Sequence, residues 1–122
     1  MIKSIRDDGG GVRVDLCGVI TSGELLEMGD RLESRPDFTA LKHVLLVFSD
    51  VEDLALNSNE IYSLVLNDRR RSELNPSLKL ALVSDASLVF GLSRMYASYY
   101  SDGPWQVMVF SDFVEAEAWL KA

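Results

Sequence analysis

The sequence has a single cysteine, Cys17, and a single histidine, His43, among its 122 residues. One cysteine excludes an internal disulfide, and His43 has no second histidine with which to form a metal-binding pair. No apolar run approaches the roughly 18–20 residues of a membrane-spanning helix, and Met1–Ser4 does not open like a signal peptide. These absences favour a cytoplasmic protein with no stable membrane insertion.

Positive charge is also scarce, because the net charge is −7. That balance argues against a general surface for nucleic acid or anionic membranes. The one basic run, Arg69–Arg71, is interpreted as the solvated end of a helix, where cations complement the helix dipole. A small anion-binding patch is the alternative. With 48% hydrophobic and 25% charged residues, the chain has the composition of one globular domain spanning residues 1–122.

The stretch His43–Asp50 organises the rest of the chain. Its apolar residues Val44–Phe48 do not alternate with polar ones, so both faces of this strand are expected to be covered. That pattern is typical of a central strand in a parallel sheet. A turn is expected after it, over residues 54–56, before the next helix.

Four further strands and four helices are predicted around this strand. The strands are Ile2–Arg6, Val12–Cys17, Leu78–Val83 and Trp105–Phe110, with a hairpin turn at Gly9–Gly11. The helices run from Thr21 to before Pro36, from Asn57 through the arginines to Asn75-Pro76, over Ala86–Tyr100, and over Phe113–Lys121. In the third helix, one face is predicted to be shared by Leu88, Leu92, Met95, Tyr96 and Tyr99.

Helices of this length between strands suit right-handed parallel crossovers. The fold class is therefore α/β, with a mixed, mostly parallel five-stranded sheet and the order ββαβαβαβα. The first strand follows a tight hairpin, so it should be antiparallel and at or near an edge.

Three strands are predicted to end in the dipeptides Ser49-Asp50, Ser84-Asp85 and Ser111-Asp112. Carboxylates at the carboxyl edge of an open sheet could hold Mg²⁺ for phosphoryl chemistry. Ser and Asp are also the preferred caps of helices that follow strands, and capping is the favoured interpretation. Asp50 is the least explained, because no helix is predicted directly after it.

Two other groups of residues are candidates for binding. Asn57 and Ser58 precede a predicted helix, which Asn57 and Glu60 would cap. The aromatic residues between Phe90 and Phe113 exceed what one helix face needs. Most are expected in the core, but Tyr96, Tyr99 and Trp105 could form a partner surface or an apolar ligand groove. His43 and Cys17 are interpreted as structural, Cys17 as a buried, inert thiol.

Several short motifs together resemble a known family. They are Gly18 followed by Thr21-Ser22-Gly23-Glu24, the central strand leading into a capped helix, and the closing Val109-Phe110-Ser111-Asp112 with Glu115-Ala116-Glu117-Ala118-Trp119-Leu120. This pattern is similar to the SpoIIAA-like (STAS, or STAS/SEC14-type) domains, which are small bacterial proteins. The resemblance implies a STAS-like fold over the whole chain.

The resemblance also implies a place for a regulatory site. Anti-sigma-factor antagonists of this family carry a phosphorylatable serine after the central strand, and the matching segment here is Asn57-Ser58-Asn59-Glu60. Ser58 is the matching serine, although the family's preceding Asp and following Gly are missing. A helix cap and a phosphorylation site are both open interpretations of this segment.

The sequence therefore predicts a non-enzymatic regulatory or binding module without a cofactor. It would act through a protein partner, a small apolar ligand or self-association as a homodimer. The alternatives are a metal-dependent phosphate-handling enzyme that uses the strand-end aspartates, and a phosphorylation-switched anti-sigma-factor antagonist. The candidate binding residues are Asp50, Asn57, Ser58, Tyr96, Tyr99 and Trp105.

Overall fold

The computed structural model describes all of residues 1–122 and contains five strands and four α-helices. In chain order they are β1 (Ile2–Asp8), β2 (Gly11–Thr21), α1 (Ser22–Glu33), β3 (His43–Ala55), α2 (Ser58–Ser72), β4 (Lys79–Val83), α3 (Ser87–Tyr100), β5 (Gln106–Phe110) and α4 (Phe113–Lys121). A short 3₁₀ helix, Phe38–Ala40, precedes β3. None of the helices combines the length and the apolar character that crossing a membrane requires.

The strands form one sheet in the order β1-β2-β3-β4-β5. β1 pairs with β2 in the antiparallel sense, and every other pair is parallel. The predicted fold class is therefore confirmed, including the antiparallel strand at the edge and the central position of β3. Gly9 and Gly10 make the hairpin turn between β1 and β2 with positive φ angles of 55° and 91°, which L side chains rarely adopt.

The two faces of the sheet are covered unequally. Side chains such as Val14, Leu46 and Leu82 point to the face on which α1, α2 and α3 pack, and they belong to a core cluster of 20 buried residues. The opposite face has a smaller cluster of Leu45, Val47, Ala81, Val83 and Ala116, the last from α4. Both faces of the centre of β3 are covered, as its unbroken apolar run predicts.

The predicted end of β3 is wrong. No turn occurs over residues 54–56; the strand continues through Ser49 and Asp50 to Ala55, and β2 continues beside it to Thr21. The pairing passes two register irregularities, and Gly18 lies between them with φ +74°. Because the irregularities change the alternation of inward and outward side chains, polar and apolar residues no longer follow the simple period of a strand.

The face predicted for α3 is turned inward only in part, because Leu92 and Tyr96 pack against the core but Leu88 and Tyr99 do not. The helix buries Val89, Ser93 and Tyr100, whereas Leu88 is 59% exposed and Tyr99 is 36% exposed. Tyr100 fixes this rotation, because its hydroxyl shares a hydrogen bond with Ser72 and accepts one from the backbone N–H of Trp105 at 3.1 Å. Its ring also stacks on Trp105. These polar partners decide which face is inside, and the apolar spacing alone does not reveal them.

Candidate functional site

The three aspartates predicted at strand ends have three different surroundings. Asp50 lies within β3 and accepts a hydrogen bond from Lys3 Nζ at 2.9 Å. Asp112 caps α4 by accepting the Val114 N–H at 2.8 Å. Asp85 is exposed and does not cap α3. The N-cap of that helix is Ala86, whose N–H donates to the Ser84 hydroxyl. No group of three or more His, Cys, Asp or Glu residues is placed to hold a metal ion. The structure therefore does not bring these aspartates together into one site.

Asp50 instead lines an open polar groove of about 360 Å³ on the face of the sheet opposite α1–α3. The charged residues of this groove pair with one another. Lys3 binds Asp50, while Arg6 and Arg13 both bind Asp15, Arg13 through two hydrogen bonds of 3.0 Å. Every charged side chain of the groove is thus paired within it, and the groove as a whole carries one net positive charge.

Asn57 and Ser58 begin α2. The Asn57 side chain accepts the Glu60 N–H at 2.8 Å, and the Glu60 carboxylate accepts the Asn57 N–H at 3.0 Å, which completes the predicted capping box. Ser58 is the first residue of the helix and is exposed. Capping therefore occupies Asn57 and leaves the Ser58 side chain facing solvent.

The aromatic candidates also separate. Trp105 is only 8% exposed, and its indole N–H donates to the backbone oxygen of Asn75 at 2.7 Å, so it belongs to the core rather than to a contact surface. Tyr96 is half-buried, and its hydroxyl donates to the Asp68 carboxylate. Tyr99 is partly exposed and meets Tyr62 edge to face, with ring centroids 6.0 Å apart.

A cavity of about 70 Å³ lies between the sheet and helices α1, α2 and α3. Twelve of its 16 lining residues are hydrophobic, and Phe48, Ile61 and Leu82 are among the buried ones. Leu25, Leu56 and Leu92 are only half-buried. The cavity thus has an apolar wall with three leucines that reach the surface.

One end of this cavity is polar. Asp68 and Arg71 come from α2, and Ser93 and Tyr96 come from the facing part of α3. Each pair is three residues apart, which places its members on one face of their helix. The cavity therefore combines a long apolar wall with a compact cluster of hydrogen-bonding groups.

Arg71 is the centre of this cluster, with a side chain only 4% exposed. Its Nη2 donates to Asp30 at 2.6 Å, its Nε to Glu33 at 3.0 Å, and its Nη1 to Asp68 at 3.0 Å. Arg70, in contrast, is exposed and also binds Glu33. The prediction that all three arginines form a solvated helix end is therefore wrong for Arg71, which links α1 to α2 from inside the protein.

Gly29 makes room for this arginine. A Cβ atom at Gly29 would lie 2.7 Å from Arg71 Cζ, well inside van der Waals contact. The glycine at this position of α1 therefore allows the guanidinium to enter the helix interface. In the sequence, this cluster could have been predicted from a glycine in the apolar stripe of one helix and an arginine on the next helix.

Burial also changes the acidity of two groups at the polar end. Removal from water raises the pKa of Asp68, although the hydrogen bond from Tyr96 and the charge of Arg71 act in the opposite direction. Burial raises the pKa of Tyr96 well above its ordinary value, and the neighbouring Asp68 carboxylate adds to this. Tyr96 therefore remains a neutral hydroxyl donor at any physiological pH.

A second feature is a patch on the outer surface of α2 and α3, which we call the α2–α3 patch. It consists of Tyr62, Leu66 and Tyr99, whose exposed fractions are 49%, 48% and 36%. Tyr62 and Leu66 are four residues apart on α2, so they share one face of that helix. The patch begins one turn after Ser58.

Comparison with solved structures identifies the class of fold. A DUF3478-family protein from Shewanella loihica PV-4, whose structure has a SpoIIAA-like fold, superposes with a TM-score of 0.60 at 16% identity, over 96% of this chain and 90% of that chain. The anti-sigma factor antagonist SpoIIAA, in its unphosphorylated form, superposes with a TM-score of 0.58 at 15% identity, over 97% and 94% of the two chains.

The protein therefore has the SpoIIAA-like, or STAS-type, fold, as its motifs predict. At 15–16% identity the likeness shows the fold alone. No protein-family model matches the sequence. No curated protein matches it either.

Proposed function

We propose that the protein is a non-enzymatic binding module that takes a small apolar ligand into the cavity between the sheet and helices α1–α3. The observation that carries this proposal is the cavity itself, with its 12 hydrophobic lining residues and its polar end. Ligand sites are typically concave and mostly apolar, with a few convergent polar groups that orient the ligand.

The size of the cavity limits the ligand. An apolar cavity of about 150 Å³ stays dry and binds benzene, and this one has about 70 Å³. It therefore suits a molecule of a few carbon atoms, or a longer chain whose tail leaves between the half-buried Leu25, Leu56 and Leu92. Each buried methylene would contribute roughly 0.8 kcal/mol to binding.

A blocked cavity tests the proposal. Leu56→Trp places a larger side chain at the half-buried rim, and Leu74→Trp makes the same change at a position that is 48% exposed and outside the cavity. We expect pentane to shift the NMR signals of Leu46 and Leu82 in the wild type and in Leu74→Trp, but not in Leu56→Trp. Equal shifts in all three proteins, or none in the wild type, would contradict the proposal.

A protein partner on the α2–α3 patch is a second candidate function, supported by the exposure of its three large side chains. Charge favours an acidic partner segment. α3 contains no Asp or Glu, and the two carboxylates of α2 are engaged, Glu60 in the capping box and Asp68 with Arg71. Arg70 is already paired with Glu33, so the exposed Arg94 is the cation that would attract acidic residues around an apolar centre.

The SpoIIAA-like fold is consistent with protein binding, since the SpoIIAA structure is that of an anti-sigma factor antagonist in its unphosphorylated form. Ser58 is exposed beside the patch, so a phosphate there would add about two negative charges next to it. Phosphorylation at Ser58 would therefore weaken binding of an acidic partner. The intact mass of protein isolated from its native cells tests this switch, which fails if no phosphate is found.

A photo-crosslinking residue at position 99 tests the patch directly. We expect an adduct with an acidic protein, which Leu66→Ser abolishes. The same crosslinker at Val114, which is 71% exposed on α4, is the matched control. An adduct of equal yield at position 114, or an adduct with a second copy of this chain, would count against this candidate.

A further inference from the structure

We infer that the polar end of the cavity selects ligands with a neutral, hydrogen-bond-donating head, such as an alcohol, and rejects carboxylates. This inference rests on the proposed ligand-binding function and specifies the chemical class of the ligand.

The balance of charge at the polar end carries the first step. Asp68 and Arg71 line the cavity. Outside the lining, Arg71 also pairs with Asp30 and Glu33, and the exposed Arg70 pairs with Glu33. Each of the three nitrogens of Arg71 already donates to one of these carboxylates. The cluster therefore has one more negative charge than positive charges, and a buried ligand carboxylate would meet no free cation to compensate its desolvation.

The acceptor capacity of Asp68 carries the second step. Its Oδ1 accepts from Arg71 and its Oδ2 accepts from Tyr96, and an ionised carboxylate offers about four acceptor positions. Asp68 can therefore accept a further hydrogen bond from a ligand hydroxyl in the cavity that it lines. The buried Ser93 supplies a second hydroxyl one helical turn from Tyr96. A ligand carboxylate would instead face Asp68 as a like charge.

The raised pKa of Asp68 is consistent with this inference. Burial already disfavours the one negative charge of that carboxylate, so a second anion beside it would be disfavoured further.

Binding of 1-butanol and butyrate, which have the same number of carbon atoms, tests the inference. We expect NMR titrations of the wild type at pH 7 to give a dissociation constant for 1-butanol at least tenfold lower than that for butyrate. In Asp68→Asn the ratio should fall to about threefold or less, because the charge that repels butyrate is gone. Asp85→Asn, an exposed change outside the cavity, should keep the ratio of the wild type.

Pentane separates the two possible failures, since it has no head group. Equal affinity for butyrate and 1-butanol in the wild type would overturn the inference while leaving ligand binding intact. An unchanged ratio in Asp68→Asn would also overturn it. If neither pentane nor 1-butanol binds, the proposed function itself fails. The ratio in the wild type decides the question even if Asp68→Asn does not fold.

Discussion

Replacing Gly29 with alanine should destabilise the protein, although the same change usually stabilises a helix. Gly29 lies inside α1 and is buried, and alanine is favoured over glycine in a helix interior by about 1 kcal/mol. The added Cβ, however, would lie 2.7 Å from Arg71 Cζ and Nη1 and 3.0 Å from Nη2. The guanidinium cannot move aside freely, because three carboxylates hold its three nitrogens.

The magnitude follows from the two opposing effects. Overpacking of a well-packed site costs typically 1–3 kcal/mol, and displacing Arg71 from a carboxylate partner would cost about 3–5 kcal/mol for a fully broken buried pair. Overpacking of about 1–3 kcal/mol, less the gain in helix propensity of about 1 kcal/mol, leaves a net loss of about 0–2 kcal/mol. Breaking one ion pair would increase this loss.

Gly91→Ala is the matched control, because Gly91 lies within α3 and a Cβ there would meet nothing within 4 Å. It should stabilise the protein by about 0.5–1 kcal/mol. Urea unfolding monitored by fluorescence of the buried Trp105 measures both variants. A third protein, Gly29→Ala combined with Arg71→Met, should show a smaller loss from the alanine than the native background does. If Gly29→Ala stabilises as much as Gly91→Ala, Arg71 does not occupy the interface as described.

Three further predictions use the same measurement of unfolding free energy. Leu46→Ala should cost about 2–5 kcal/mol, because Leu46 is a core residue of β3 at 6% exposure; an unchanged midpoint would contradict its central position. Asn57→Ala should cost about 1 kcal/mol, whereas Ser58→Ala at the exposed neighbouring position should stay within about 0.5 kcal/mol; equal costs would mean that the capping box does not stabilise α2. Hydrogen bonds from Arg70 and then Arg71 lower the pKa of Glu33 below its ordinary value of 4.5, so its contribution to stability is present above pH 4.5 and is lost as the pH falls through the lowered pKa. Glu33→Gln should therefore destabilise at pH 7 and make little difference at about pH 3; a cost that does not fall on acidification would be inconsistent with this ion pair.

The order and type of the elements could be predicted because the local signals agree with the tertiary structure. The unbroken apolar run of Val44–Phe48 lies in the centre of the sheet. The Asn57–Glu60 spacing forms the capping box that it predicts. Proline also acts as expected, since α1 ends at Glu33 before Pro36 and α2 ends before Pro76. In each case the residues that carry the signal are close in sequence.

The parts that could not be predicted depend on contacts between distant residues. The continuation of β3 to Ala55 requires pairing with β2 across irregularities near Gly18. The rotation of α3 depends on the hydroxyl of Tyr100 meeting Ser72 and Trp105. The burial of Arg71 needs carboxylates from both α1 and α2. None of these partners is specified by the spacing of apolar residues within one element.

The extended β2–β3 pair gives β3 two regions with different numbers of neighbours. From Val44 to Val47 the strand is bonded on both sides, by β2 and β4, whereas from Asp50 to Ala55 only β2 remains beside it. Amide protons in the doubly paired region should therefore exchange with solvent only on global unfolding, and those beyond Asp50 through smaller openings. Leu54 and Leu56, in and just after this singly paired half of β3, border the cavity. Local opening of this half would therefore admit a ligand to the cavity while the centre of the sheet stays paired.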